Sequence, residues 1–217
     1  MVRAEALAAL VCPPRDLIES AAAERYPLGS GVESHIPAFR PIMPPAILVV
    51  AGASGVGKTA TVQAIAARSM PGVSCFHFDS IGVPSPEVMA EEFGGPESWQ
   101  RDATGRWITW LVALDDSTRI AVLDGQTRPS FVEEAMRRAA VGSAAIRHQI
   151  VLLDCDPEVR ARRLAGPRQQ PELNSSRMDN WAAYLRGQAD ALNLPVVDTT
   201  KQTVDQVADA VLRFVPT

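Results

Sequence analysis

Gly52, Gly57, Lys58 and Thr59 occupy the fixed positions of a G-x-x-x-x-G-K-[ST] pattern, in Gly52-Ala53-Ser54-Gly55-Val56-Gly57-Lys58-Thr59. Residues of these types at this spacing bind phosphate. The glycines let the backbone turn tightly and approach an anion, so that successive N–H groups point into one concavity. The lysine reaches the β- and γ-phosphates, and the terminal hydroxyl can ligate Mg²⁺. Such a loop works only where a buried strand runs into it and a helix leaves it, because the helix N-terminus completes the anion site. Both flanks are present. Ala46–Ala51 is an unbroken apolar run, and Lys58–Ser69 spaces Val62, Ile65 and Ala66 on one helical face. Residues 52–59, with Ala60 behind them, are therefore the candidate nucleotide-binding segment. Lys58 is a candidate catalytic group and Thr59 a candidate metal ligand.

Carboxylates beside such a loop can hold Mg²⁺ or take a proton from an attacking hydroxyl. Three apolar runs end in or just before an aspartate, Asp79 in Phe76-His77-Phe78-Asp79-Ser80, Asp124 in Val122-Leu123-Asp124-Gly125 and Asp198 in Val196-Val197-Asp198-Thr199-Thr200, and the first two matter most. Asp79 is the better candidate for general base and acceptor contact, Asp124 for the magnesium shell. Capping a helix or turn is the plainer role for either. Arginines supply the complementary charge, since a planar guanidinium binds phosphate oxygens bidentately. Arg160 and Arg163 are three apart on a helix that begins at Asp156-Pro157. A Gly/Pro-bounded segment carrying Arg168 follows, so the stretch reads as a lid over about 160–175 or as a solvated basic face. Arg101, Arg106 and Arg128 are candidate substrate contacts. Trp99 and Trp107 can stack on a substrate or pack inside, and His77 and His148 receive no role.

The elements that must position these residues alternate. Apolar runs at Ile47–Ala51, Val73–Phe78, Ile120–Asp124, Gln149–Asp154 and Leu194–Asp198 predict strands. Helical patterns follow at Lys58–Ser69, Ala103–Leu114, Phe131–Val141, Pro157–Ala165, Ser176–Leu192 and Val204–Phe214. Alternation of this kind predicts an α/β fold with a parallel sheet covered by helices on both faces. Ligands of such sheets bind beyond the carboxyl ends of the strands, where the loop and both aspartates fall. Asp156 and Ser130 are expected N-caps. The Gly-, Pro- and acid-rich stretch of about 80–106 reads as an acceptor-binding insertion. Residues 1–45, broken repeatedly by proline, read as an appendage disordered in part, with a lid or partner contact as its alternative use. Met43, just before the first strand, is a second candidate start of translation.

The composition sets outer limits. A 217-residue chain, 47% hydrophobic and 21% charged, suits one domain with a core. A net charge of −4 offers no general attraction to nucleic acid or anionic membrane, so anion recognition has to be local. Three cysteines without C-x-x-C spacing imply neither disulfides nor zinc, which fits a reducing cytoplasm. No apolar run approaches the roughly 18 residues of a membrane span.

The sequence resembles the small P-loop kinases of the adenylate-kinase-like group, which includes shikimate kinase, gluconate kinase and chloramphenicol phosphotransferase. The likeness covers residues 46–215 and rests on GASGVGKT at 52–59, FHFDS at 76–80, VLDGQTR at 122–128, DCDPEVRARRL at 154–164 and VVDTT at 196–200. It implies a three-layer P-loop fold with sheet order 2-3-1-4-5, ATP and Mg²⁺ as cofactors, and a small-molecule acceptor. It also implies Asp79 at the acceptor hydroxyl, lid arginines at Arg160 and Arg163, and a nucleobase bordered by the loop from Thr199 to Lys201. The segment after Asp79 matches no substrate signature of the group. The reaction expected is γ-phosphoryl transfer to a metabolite, nucleoside or nucleotide, or antibiotic, by a monomer or homodimer. A regulatory ATPase acting through a protein partner is the alternative, and a toxin-type kinase of nucleotide sugars a third. No N-K-x-D guanine motif is present.

Overall fold

The computed structural model describes residues 43–140, 145–166 and 169–217. The proline-rich stretch before Met43, together with Val141 and Arg168, lies outside the described residues. Five strands, β1 (Ala46–Ala51), β2 (Val73–His77), β3 (Ile120–Gly125), β4 (His148–Asp154) and β5 (Val196–Asp198), form one parallel sheet in the order β2-β3-β1-β4-β5. The described helices are α1 (Lys58–Ala67), α2 (Pro86–Phe93), α3 (Pro96–Val112), α4 (Pro129–Ala139), α5 (Pro157–Ala165), α6 (Ser176–Ala191) and α7 (Val204–Leu212). Short 3₁₀ turns occupy Phe78–Ile81 and Pro171–Leu173.

Strand β1 is central, and all six of its residues are buried because helices cover both faces. Its side chains alternate between two cores. Ile47 and Val49 join Trp107, Ile108, Leu111, Met136 and Leu185 of α3, α4 and α6, while Leu48 and Val50 join Val62, Ile65, Val207 and Val211 of α1 and α7. Each face buries branched and aromatic side chains in quantity, so β1 is held rigidly where it delivers the chain into residues 52–59. No described helix is long and apolar enough to cross a membrane.

Most of the stretch of about 80–106 is helical. Ser85 accepts from the Val88 N–H and Pro86 stands at the first helical position of α2, while Gly94 closes that helix in the left-handed region at φ 75°. Gly95 and Pro96 then start α3, seven residues before the expected Ala103. Glycines and prolines that read as loop punctuation are caps. Helix α4 likewise begins at Pro129 with Arg128 as its N-cap, so Ser130 is no cap. Its hydroxyl and N–H instead pair with the Gln188 amide, tying α4 to α6. Asp156 does occupy the N-cap position of α5, without a capping hydrogen bond from its carboxylate.

Candidate active site

The phosphate loop fits its surroundings closely. Gly52 passes so near β4 that a Cβ there would lie 2.6 Å from the Leu153 carbonyl, and Gly57, at φ 101°, is the N-cap of α1. Gly55, at φ 84°, lies against α5, where a Cβ would meet the Arg160 Cγ at 2.8 Å. Lys58 is buried, and its ammonium donates to the Ala53 carbonyl at 2.9 Å, so it is folded back across its own loop.

The sheet register brings the carboxyl-end residues into a row. Asp124 is paired with Val50 of β1 on one side and His77 of β2 on the other. The Asp124 carboxylate is buried, one oxygen lies 2.9 Å from His77 Nδ1, and the other has no hydrogen-bond partner. That hydrogen bond raises the His77 pKa above its ordinary 6.5, against the opposing effect of burial, with further help from the charges of Asp124 and Asp79. The turn carrying Asp79 crosses the end of β3 at Gly125, where a Cβ would meet the Phe78 side chain at 2.7 Å. The Trp107 indole N–H, donating to the Phe78 carbonyl at 3.1 Å, pins the same turn from below. Asp79 itself is exposed, and its backbone carbonyl accepts from the Gly82 N–H at 3.1 Å.

Two clefts adjoin the loop. The first, about 540 Å³, runs from Gly55, Gly57 and Thr59 to Arg163, Thr199, Gln202 and Val204. Its far wall is clamped to the loop, because the Thr199 hydroxyl donates to the Val56 carbonyl at 2.9 Å. Arg163 bonds the Thr199 hydroxyl and carbonyl at 2.9 and 2.7 Å. The second cleft, about 700 Å³, lies between α2 and α3 on one hand and α6 on the other. It reaches the phosphate loop through Gln126, whose side-chain carbonyl accepts from Ser54 at 2.9 Å. A further cleft of about 800 Å³ lies where β1 and β3 begin, at the sheet edge opposite the loop. Ligand sites of parallel sheets favour the other edge.

No protein-family profile and no curated protein matches this sequence. Among solved structures, shikimate kinase from Acinetobacter baumannii in complex with shikimate matches with a TM-score of 0.53 at 15% identity, over 79% of this chain and 93% of that one. The tunicamycin resistance protein of Deinococcus radiodurans matches with 0.54 at 19%, over 78% and 94%. The APS kinase of Mycobacterium tuberculosis, in complex with AMPPNP and APS, matches with 0.51 at 12%, over 79% and 97%. The fold is that of the P-loop kinases.

Within this P-loop kinase fold, the expected residues separate by location. Lys58, Thr59, Arg163 and Thr199 meet around the first cleft or its loop, and Arg128 and Gln126 line the second. Arg160 is only 3% exposed, paired with Asp179 of α6 and packed on Gly55, so in this conformation it braces α5 beneath the loop. Arg101 pairs with Glu134 and Arg106 with Asp102, and neither lines the second cleft. Trp99 and Trp107 are buried among other rings. The His77–Asp124 contact went unforeseen, although both residues end adjacent apolar runs. The sheet order implied by the resemblance already made the two strands neighbours, and what the sequence lacks is the register that sets His77 opposite Asp124. Burial pushes the Cys75 thiol up to about 11 and raises that of Cys155, which suits packing rather than nucleophilic roles.

Mg²⁺ suits the groups present. No cluster of three or more His, Cys, Asp or Glu forms a metal cage among the described residues. Mg²⁺ keeps several waters and takes few protein ligands beside phosphate oxygens. The Asp124 oxygen that has no hydrogen-bond partner among the described residues and the half-buried Thr59 hydroxyl are oxygen donors of the kind such an ion takes.

Proposed function

We propose that the protein is an ATP- and Mg²⁺-dependent phosphotransferase that moves the γ-phosphoryl group to a hydroxyl of a small molecule. The observation that carries this reading is the loop of residues 52–59 bordering two separate clefts, one directly and one through the Ser54–Gln126 hydrogen bond. A nucleotide-only switch needs the first cleft alone. A transferase needs a second compartment beside the donor phosphates, and the second cleft supplies one with room for a metabolite.

In this reading the backbone N–H groups of the loop and the α1 N-terminus hold the donor phosphates, and Lys58 leaves the Ala53 carbonyl to neutralise charge on the transferring group. Arg163 and Thr199 border the base and ribose. Thr59 and Asp124 would hold Mg²⁺, which would offset the negative charge of the donor phosphates. Asp79 accepts the proton of the acceptor hydroxyl as its oxygen bonds to the γ-phosphorus and the bond to the β-phosphate oxygen breaks, releasing ADP. Most of the acceleration comes from positioning and charge compensation. A screen of hydroxylated metabolites for acceptor-dependent ADP release tests the reaction. With a working acceptor, Asp79→Asn should lower kcat by about 10²-fold or more while leaving nucleotide affinity unchanged. Undiminished kcat would remove Asp79 from the mechanism.

A further inference from the structure

The second cleft carries a chemical signature of its own. Trp181 and Tyr184, one helical turn apart on α6, stack with ring centroids 5.4 Å apart and planes 19° from parallel, and both line the cleft. Across from them, α2 and α3 contribute Met89 and Trp99. Flat and polarisable side chains thus stand on both walls. Tyr184 is 44% exposed, a large ring left open to the cleft rather than sunk in the core.

The charge within the cleft is also ordered. The Arg128 guanidinium lies 5.0 Å from the Trp181 ring centre and 5.7 Å from that of Tyr184, with 5.0 Å to Phe131 beneath. The rings and the neutral Gln100 side chain hold this cation in place. Its ion pair is Glu97 at 3.3 Å, a side chain 63% exposed and therefore readily displaced. Arg177 lines the same cleft and makes no ion pair among the described residues. The carboxylates of the lining, Glu97 and Glu172, are exposed, whereas the Arg128 side chain is 17% exposed. The inner charge is positive.

We infer that this cleft takes a flat, conjugated ring bearing an oxyanion, the Trp181–Tyr184 platform selecting the ring and Arg128 the anion. The inference rests on the reading of this cleft as the acceptor side, and it narrows the acceptor to a class. A saturated sugar or polyol of equal charge would satisfy Arg128 and leave the platform without a stacking partner. Two sources share the chemistry, a nucleoside monophosphate and a hydroxylated aromatic carboxylate.

Calorimetric titration of the full chain, with the donor cleft saturated by Mg-ADP, separates them. The probes are two matched pairs, uridine monophosphate against ribose 5-phosphate, and 4-hydroxybenzoate against 4-hydroxycyclohexanecarboxylate. The planar member of at least one pair should bind about tenfold more tightly, the size expected of one stacking contact, and the pair that shows it names the source. Tyr184→Ala should abolish that preference and Tyr184→Phe should keep it, with circular dichroism confirming that both variants are folded. Arg128→Gln should weaken both members alike. Equal affinity within both pairs, a preference that survives Tyr184→Ala, or no binding by any probe would overturn the inference. ADP release with Mg-ATP separates this from the kinase reading. Release driven by a saturated member alone defeats the ring selection only, while ring-selective binding without release by any acceptor defeats the kinase reading only.

Discussion

At the scale of single residues, Gly55 and His77 are the most informative. Gly55 sits at φ 84° with the Arg160 stem 2.8 Å from where a Cβ would be. Gly55→Ala combines backbone strain with a clash against the buried Arg160 stem, and should cost about 1–3 kcal/mol in a urea-unfolding measurement. A neutral result would mean that α5 is not seated on the loop as described. His77 gives a pH dependence whose sign is fixed. Its pKa is raised by the hydrogen bond to Asp124, so its stabilising contribution is fully present below about pH 6.5 and is lost as pH rises through the raised value. The thermal midpoint should carry a decline above pH 6.5 that His77→Gln removes. An identical decline in that variant would assign it elsewhere.

At the scale of elements, caps decide more than propensity does. Thr203 and Gln206 form a reciprocal capping box at the start of α7, the helix that packs on α1 and gives Val204 and Val207 to the first cleft. Thr203→Ala should therefore destabilise the protein by about 1 kcal/mol and loosen nucleotide binding, both readable from denaturant titration with and without ATP. The same physics separates what was legible in the sequence from what was not. The apolar runs around β1, β3 and β4 predict strands within a residue of those observed, because both faces of each are buried and nothing polar interrupts them. Helix α2 and the first seven residues of α3 were obscured, since Ser85-Pro86 and Gly94-Gly95-Pro96 carry the same residues as loops and act as caps only where helix follows. The strand, loop and helix around residues 52–59 were readable because their pattern is local. The His77–Asp124 pair was not, because it depends on the register within the sheet, and the Trp181–Tyr184–Arg128 group was not, because it depends on which helices pack together.

At the scale of the whole molecule, the parallel sheet places residues 52–59, Asp79 and Asp124 at one edge. Its order puts β3 and β4 on either side of β1, so the loop at the end of β1 is flanked by Asp124 from one neighbour and by the β4–α5 connection from the other. Helices α2, α3 and α6 then enclose the second compartment. Such a frame can keep one donor half while its acceptor half varies, which agrees with structural likeness to P-loop kinases at 12–19% identity. The central claim, that residues 52–59 drive phosphoryl transfer into that second compartment, meets its most direct test in ADP release from Mg-ATP. The assay runs with and without acceptor, for the wild-type chain and for Lys58→Ala. The account predicts release that depends on acceptor in the wild type and falls by more than about 10²-fold in a folded Lys58→Ala variant. Release indifferent to every acceptor, or undiminished without Lys58, would contradict it.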